Sequence, residues 1–446
     1  MKNSVVLYAI VAAMGGFLFG FDTAVISGAE QAIQARWDLT DWMHGLAVAI
    51  ALYGTVIGAL LGGKPADWFG RKKTLIFIGI IYTISALGSA MAPEIYSFMI
   101  FRFIGGIGVG ASSVTAPMYI SEISPAKSRG KLVMLFQLNI VLGIFIAFLS
   151  NYALEGVSPN SWRYMLAIEA VPALAFTGLA FVIAESPRWL VLKKHDETAA
   201  LQVLNKVNPG NEQEMLEQIK YSAKDVKGDE KLFVPRYSKL LVITFIFAFL
   251  NQVTGINAVL YYAPRIFEMT GLASEESLLS TSGIGLVNML FTIVGMILID
   301  RAGRKTLMYI GSIGMALSLA FLARAFFIDD YAGVAPFIFA FIAFFAMSHG
   351  AVIWVFLSEI FPNVVRAAGQ SFGSLTHWIF AAIIANLFPI SLAAFGAGAV
   401  FAFFATMMAL QFFFIWKVMP ETKGVPLEDI QKKLGIAGKV PEEEKV

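Results

Sequence analysis

Two ionisable residues stand inside long apolar stretches: Asp22 in the first and Arg102 in the fourth. Asp22 lies eight residues before Glu30 and Arg102 eight residues after Glu94, and both glutamates mark the same end of their stretches. At about 1.5 Å of rise per residue, both charges lie about 12 Å deep. An unpaired charge at that depth in hydrocarbon is costly, so the economical inference is that the two pair. A carboxylate that can take a proton beside a fixed cation is a proton-coupling pair. The competing reading is a static salt bridge, or an arginine whose head snorkels toward water.

A second chemistry is concentrated in the seventh stretch, Asn251-Gln252-Val253-Thr254-Gly255-Ile256-Asn257 followed by Tyr261-Tyr262. Gln252 and Asn257 are too polar to face lipid, and Gly255 between them can let a helix unwind and show backbone groups to a cavity. Amide side chains offer donors and acceptors together, which suits the hydroxyls of a neutral polyol. Gln137 and Asn288 add two amides from other stretches, and Trp354 and Trp378 add apolar faces with one N–H each. For any single amide, hydrogen-bonded glue between helices competes. The cluster resists that reading.

A third set is duplicated. Asp67-Trp68-Phe69-Gly70-Arg71-Lys72 recurs as Asp300-Arg301-Ala302-Gly303-Arg304-Lys305. Ser121-Glu122-Ile123 with Arg129 recurs, at nearly the same offset, as Ser358-Glu359-Ile360 with Arg366. Lysines and arginines alone would serve to orient loops. Duplicated acids are not needed for that, so the paired Asp, Glu and Arg groups are read as a latch between two halves.

The elements that must position these residues follow from composition. Of 446 residues, 58% are hydrophobic and 14% charged, which is too little polar surface to cover soluble domains. The net charge of +2 gives nucleic acid nothing to hold, and the absence of cysteine excludes disulfides, iron–sulfur clusters and thiol chemistry. Twelve apolar runs, the first over 4–28 and the last over 397–418, are long enough to cross a bilayer. The first is too long for a signal-peptide core and is read as a retained span. Lys64, Arg71, Lys72 and Lys73 crowd the second loop, Lys127, Arg129 and Lys131 the fourth, and Arg301, Arg304 and Lys305 the eighth. By the positive-inside rule those loops and both termini are cytoplasmic. The expected architecture is all-α: twelve transmembrane helices in two parallel six-helix repeats. Residues 1–184 form the first half, 185–236 a cytoplasmic linker with short helices, 237–419 the second half and 420–446 a cytoplasmic tail.

At this point the residues resemble the sugar porter family of the major facilitator superfamily over nearly the whole chain. The resemblance rests on Gly20-Phe21-Asp22-Thr23-Ala24-Val25-Ile26-Ser27-Gly28, Arg129-Gly130, Glu185-Ser186-Pro187-Arg188-Trp189-Leu190, Pro420-Glu421-Thr422-Lys423-Gly424 and the Gln252–Asn257 stretch with Tyr261-Tyr262. The first span and Tyr261–Phe267 look most like bacterial xylose and arabinose proton symporters. The resemblance implies sugar contacts from Gln137, Gln252, Asn257, Tyr262, Asn288 and Trp354, with Phe19 and Trp378 packing nearby. It also implies proton coupling at Asp22 with Arg102, and adds Glu185, Arg188 and Glu421 to the cytoplasmic gate. Four residues depart from the pattern. Asn251 replaces a first glutamine, His377 a glutamine or asparagine, and Ala351 a proline, whose loss predicts a stiffer tenth span. His349 stands where relatives differ.

The expected function is import of an aldopentose or aldohexose with a proton, by alternating access, across the cell inner (plasma) membrane. No covalent chemistry, cofactor or metal is implied, and a monomer is expected. The nearest alternative is a facilitator of the same fold in which Asp22 is structural only. A non-transporting sensor usually needs a longer tail than the short charged Lys417–Val446. A drug exporter is open on fold alone, but the amides suit a polyol better.

Overall fold

A computed structural model describes residues 3–125, 128–224, 231–362 and 364–424 of the chain. Lys127 of the fourth loop and the tail beyond residue 424 lie outside the described residues. Among the described residues there are helices and no strands. A backbone in hydrocarbon must satisfy its own hydrogen bonds, and a single segment can do so only as a helix.

The first repeat runs through α1 (Asn3–Arg36), α2 (Asp41–Leu61), the short α3 (Gly63–Phe69), α4 (Arg71–Met91), α5 (Ile95–Ile123) and α6 (Arg129–Leu154). It ends in a span of two pieces, α7 (Ser161–Ala167) and α8 (Ala170–Ala180). The α1 helix continues two turns past the apolar run that predicts it, because the acid Glu30 in its last third is fully buried and held by partners. The linker carries α9 (Pro187–Trp189), α10 (Glu197–Val207) and α11 (Glu212–Lys224). Ser186 caps α9 by accepting from Trp189 N, Asp196 caps α10 by accepting from Ala199 N, and Lys220 ties the two longer helices through Glu197.

The second repeat opens with a broken span, α12 (Ser238–Gln252) and α13 (Ile256–Glu268). Gly255 makes the break with φ 84°, a conformation other residues resist. Thr254 closes the gap locally: its hydroxyl donates to Asn251 O at 3.0 Å and accepts from Ile256 N at 3.2 Å. Next come α14 (Ser274–Ala302) and α15 (Arg304–Phe327), then α16 (Val334–Met347) and α17 (His349–Glu359). The last two form one span that breaks at Ser348, where φ is −116° and ψ −79°. The predicted stiffening of this span is therefore not what the chain does. Three residues before Ala351, the Ser348 hydroxyl donates to Phe344 O at 2.5 Å and sustains the bend without a proline.

The last helix, α18 (Arg366–Lys417), has 52 residues. At 1.5 Å per residue it would be about 78 Å long, against about 30 Å of hydrocarbon. The backbone leaves the helix at Gly396 (φ 76°, ψ 162°), so this element holds two spans. Eleven helical stretches among the described residues are long and apolar enough to cross a membrane, and the break in the last brings the crossings to twelve.

By packing, the chain forms two compact units. The first contains Met1–Lys227, Asn257–Met289 and Ala381–Ala397. The second contains Gly228–Ile256, Leu290–Phe380 and Gly398–Val446. Thus α13, the start of α14 and a stretch of α18, all second-repeat segments by sequence, pack with the first six spans.

Candidate functional site

In the first unit Asp22 and Arg102 meet. Arg102 Nη1 donates to Asp22 Oδ1 at 2.5 Å and Nη2 donates to Asp22 O at 3.0 Å. Both residues are at most 2% exposed. The helices α1 and α5 carry these residues at the equal depth that the spacing of the two chain segments sets. A third ionisable group completes the cluster. Glu169, in the turn between α7 and α8, is 1% exposed and hydrogen-bonds to Asp22 in the field of Arg102. Its Oε1 has no hydrogen-bond partner. The sequence reading counts two ionisable residues within spans, and Glu169 corrects that count. Its signal was an acid isolated inside the sixth apolar run, Tyr164–Ala184.

The polar set of the seventh span divides between the units. In the second unit, Gln252 and Asn251 are buried at the end of α12. Gln252 Nε2 donates to Asn251 Oδ1 at 3.3 Å and lies 2.9 and 3.0 Å from the two ring nitrogens of His377. Asn251 Nδ2 donates to His349 O at 3.4 Å. Its shorter stem thus ends on the start of α17, and His349 Nδ1 in turn lies 2.9 Å from the Ser348 hydroxyl. The rings of Trp354 and Trp378 each stand near His377, with centroids 4.9 Å away in both cases. One amide, one imidazole and two indoles therefore lie side by side.

In the first unit, Asn257 begins the α13 side of the break, and Tyr262 is fully buried with its hydroxyl donating to Ala385 O at 3.1 Å. Tyr261 is hydrogen-bonded to Thr23, one residue from Asp22. Asn288 on α14 and Phe19 on α1 are buried, and Gln137 on α6 is half-buried.

The duplicated motifs form two clusters of nearly the same design. Arg71 clasps Glu122 with a fork (2.9 and 3.0 Å) and reaches Asp67 at 3.1 Å and Ala66 O at 2.9 Å. Glu185 accepts from the backbone N–H groups of Arg71, Lys72 and Ser186 at 2.8, 3.1 and 2.8 Å. In the other repeat Arg304 clasps Glu359 (3.0 and 2.7 Å) and reaches Asp300 at 3.3 Å and Ile299 O at 3.0 Å. Glu421 accepts from the backbone of Arg304, Lys305 and Thr422. These bonds run inside each repeat, whereas the latch reading places them across the halves. Gly70 (φ 94°) and Gly303 (φ 91°) hold the turns, and a Cβ on either would run into the Glu185 or Glu421 carboxylate. Burial pushes the Glu185 carboxyl above its ordinary range, against the pull of its backbone donors and Arg71. Arg188 is half-buried in α9, Arg129 is exposed, and Arg366 Nε donates to Phe361 O at 3.4 Å. Sequence reasoning missed Thr422, whose hydroxyl donates to Glu359 Oε2 at 2.6 Å, and Trp189, whose indole donates to Asp67 O at 2.8 Å.

Six spans repeated in parallel, the same charge cluster built twice, and polar groups buried within the spans define a membrane carrier of the major facilitator fold. The sequence profile described as "Sugar (and other) transporter" matches residues 8–434. The chain belongs to that family, the sugar porters, and is a transporter and not an enzyme. It is 40% identical to the glucose transport protein of Synechocystis over 96% of this chain and 97% of that protein. It is 36% identical to the arabinose-proton symporter of Bacillus subtilis, over 96% and 94% of the two chains. The partially occluded inward-open conformation of the xylose transporter XylE of Escherichia coli superposes with a TM-score of 0.86 at 33% identity. That match covers 96% of this chain and all of the other.

Proposed function

We propose that this carrier imports an aldopentose or aldohexose together with a proton, by alternating access across the cell inner membrane, with both termini cytoplasmic. The observation that carries the coupled reading is the buried trio Asp22, Arg102 and Glu169. Two carboxylates share one guanidinium, so a single fixed positive charge balances only one of them. The other is balanced by a proton, and the proton's arrival or departure changes what Arg102 holds. Asp22 is the coupling acid in this reading and Arg102 its fixed counter-charge. The relatives' names give support: one is an arabinose-proton symporter, another a D-xylose-proton symporter.

The sugar is taken by Gln137, Gln252, Asn257, Tyr262, Asn288 and Trp354, with Phe19, Asn251, His377 and Trp378 shaping the amide and aromatic surfaces. Each amide can donate to one hydroxyl and accept from another, and the indole faces cover the ring's C–H groups. The paired cytoplasmic clusters around Arg71 and Arg304, with Arg129, Arg188 and Arg366, form the inner gate. No cofactor or metal enters this cycle.

The test is uptake of a labelled-sugar panel by proteoliposomes, with and without an inward proton gradient. Accumulation of one pentose or hexose only when the gradient is imposed supports symport. Uptake that equilibrates but never accumulates makes the protein a facilitator, with Asp22 a structural partner of Arg102.

A further inference from the structure

Three buried groups far along the spans from the motif-bearing end take no part in that cycle. Glu30 of α1 and His44 of α2 are both 0% exposed. The Glu30 carboxylate accepts a fork from Arg265 of α13: Nε to Oε1 at 3.0 Å and Nη2 to Oε2 at 2.8 Å. Arg265 Nη2 also donates to Gln34 Oε1 at 2.6 Å. His44 Nε2 lies 2.7 Å from Glu30 Oε2, out of line for a well-formed hydrogen bond, and its ring meets Tyr262 edge-on at 5.8 Å. All of these residues belong to one packed unit, although α13 is a second-repeat helix by sequence.

The helix that carries Arg265 is built to move. It joins α12 only through the Gly255 break, and it is loosened again at Tyr262 (φ −118°, ψ 17°) with Pro264 two residues on. Pro264 cannot donate to the carbonyl one turn back. Arg265 lies one turn beyond Tyr262 on the same helix face, so displacing one displaces the other. A buried carboxylate stripped of its cation is strongly disfavoured, so α13 cannot leave α1 and α2 until water reaches Glu30.

We infer that Glu30, His44 and Arg265 form an ionic clamp that pins α13 to α1 and α2, and that its release opens the outer end of the carrier. The inference rests on the alternating-access and orientation readings above. It adds a lock whose charges come from both repeats, in contrast to the clusters around Arg71 and Arg304, whose bonds stay within one repeat each.

The chain contains no cysteine, so a single introduced one reports without background. Thr23 lies two turns inward of Glu30 on the same face of α1 and is hydrogen-bonded to Tyr261 of α13. Thr23→Cys is labelled in intact cells by a membrane-impermeant maleimide added outside, in backgrounds with Arg265, Arg265→Lys and Arg265→Gln. Labelling should be slow with Arg265 and intermediate with Lys, which keeps the charge but loses the fork. It should be about tenfold faster or more with Gln, because the closed form then buries an uncompensated Glu30. Equal rates in the three backgrounds, or slower labelling with Gln, overturn the clamp. If the Gln variant does not fold, a Lys rate equal to the native one overturns it. The labelling needs neither sugar nor a proton gradient, so a failed symport reading leaves its result standing.

Discussion

The two repeats agree at their ends and disagree in their middles. At the motif-bearing end, Arg71 with Glu122, Asp67 and Glu185 is matched group for group by Arg304 with Glu359, Asp300 and Glu421. Inside the spans, the first repeat buries two carboxylates and a guanidinium, whereas the second buries amides, imidazoles and indoles. Symmetry is kept where both halves need the same joint between helix ends. It is lost where one half handles a proton and the other a neutral polyol. Charge suits the first task because protonation changes it by a full unit. Amides suit the second because they bind hydroxyls without asking any group to titrate.

The sharpest way to break this division is to remove charge from the first repeat. Asp22→Asn should abolish accumulation of sugar against a gradient while leaving counterflow, which needs no net proton movement. The Asn mimics a permanently protonated acid and cannot cycle. An Asn variant that still accumulates sugar under an imposed pH gradient sinks the coupling role, and loss of both activities would point to a structural salt bridge. The next effect tests the symmetry of the ends. Gly70→Ala and Gly303→Ala should each cost about 1 kcal/mol or more, because both need positive φ and both face a carboxylate. Thermal unfolding in detergent should show losses of similar size in the two variants. A cost at one site only would mean the two joints are alike in form but not in load.

Smaller effects are expected from the second set. Gln252→Ala or Asn257→Ala should lower sugar affinity by about 0.5–1.5 kcal/mol each, the worth of a neutral hydrogen bond. Calorimetry on purified, folded variants measures it. Unchanged affinity in both would take the stretch out of the site.

Much of the fold was legible because membrane helices announce themselves by length and hydropathy, and duplicated motifs announce the repeat. The break at Gly255 could be read from a glycine set among amides in an apolar run. The Asp22–Arg102 contact could be read from matched depth alone. Other features depended on which helices become neighbours, and no local pattern states that. Glu169 is one acid in an apolar run until α7 and α8 carry it to Asp22. Glu30 looks like the end of a span until Arg265, far along the chain, pairs with it and lets α1 continue to Arg36. The bend at Ser348 escaped because a serine back-bonding to its own helix is a weaker signal than the proline that Ala351 replaces.

The smallest expected effect concerns a residue that sharpens the contrast between the middles. His377 is 8% exposed and both its ring nitrogens lie within 3.0 Å of Gln252 Nε2. The amide nitrogen donates, so the ring nitrogen that receives it must be the unprotonated one, and the other carries the hydrogen. A neutral imidazole thereby holds Gln252 in one orientation, with its carbonyl committed to the opposite side. A glutamine at 377 could meet Gln252 with either end of its own amide, and that choice would be free to follow the bound sugar. His377→Gln should therefore leave total transport intact while shifting the preference among xylose, glucose and galactose by a few-fold, under about 1 kcal/mol, since hydrogen bonds are re-formed and not lost. Competition of the three unlabelled sugars against one labelled sugar reads the ranking directly. A ranking that does not move, with activity retained, would make His377 a packing partner of Trp354 and Trp378, and would leave selectivity to the amides alone.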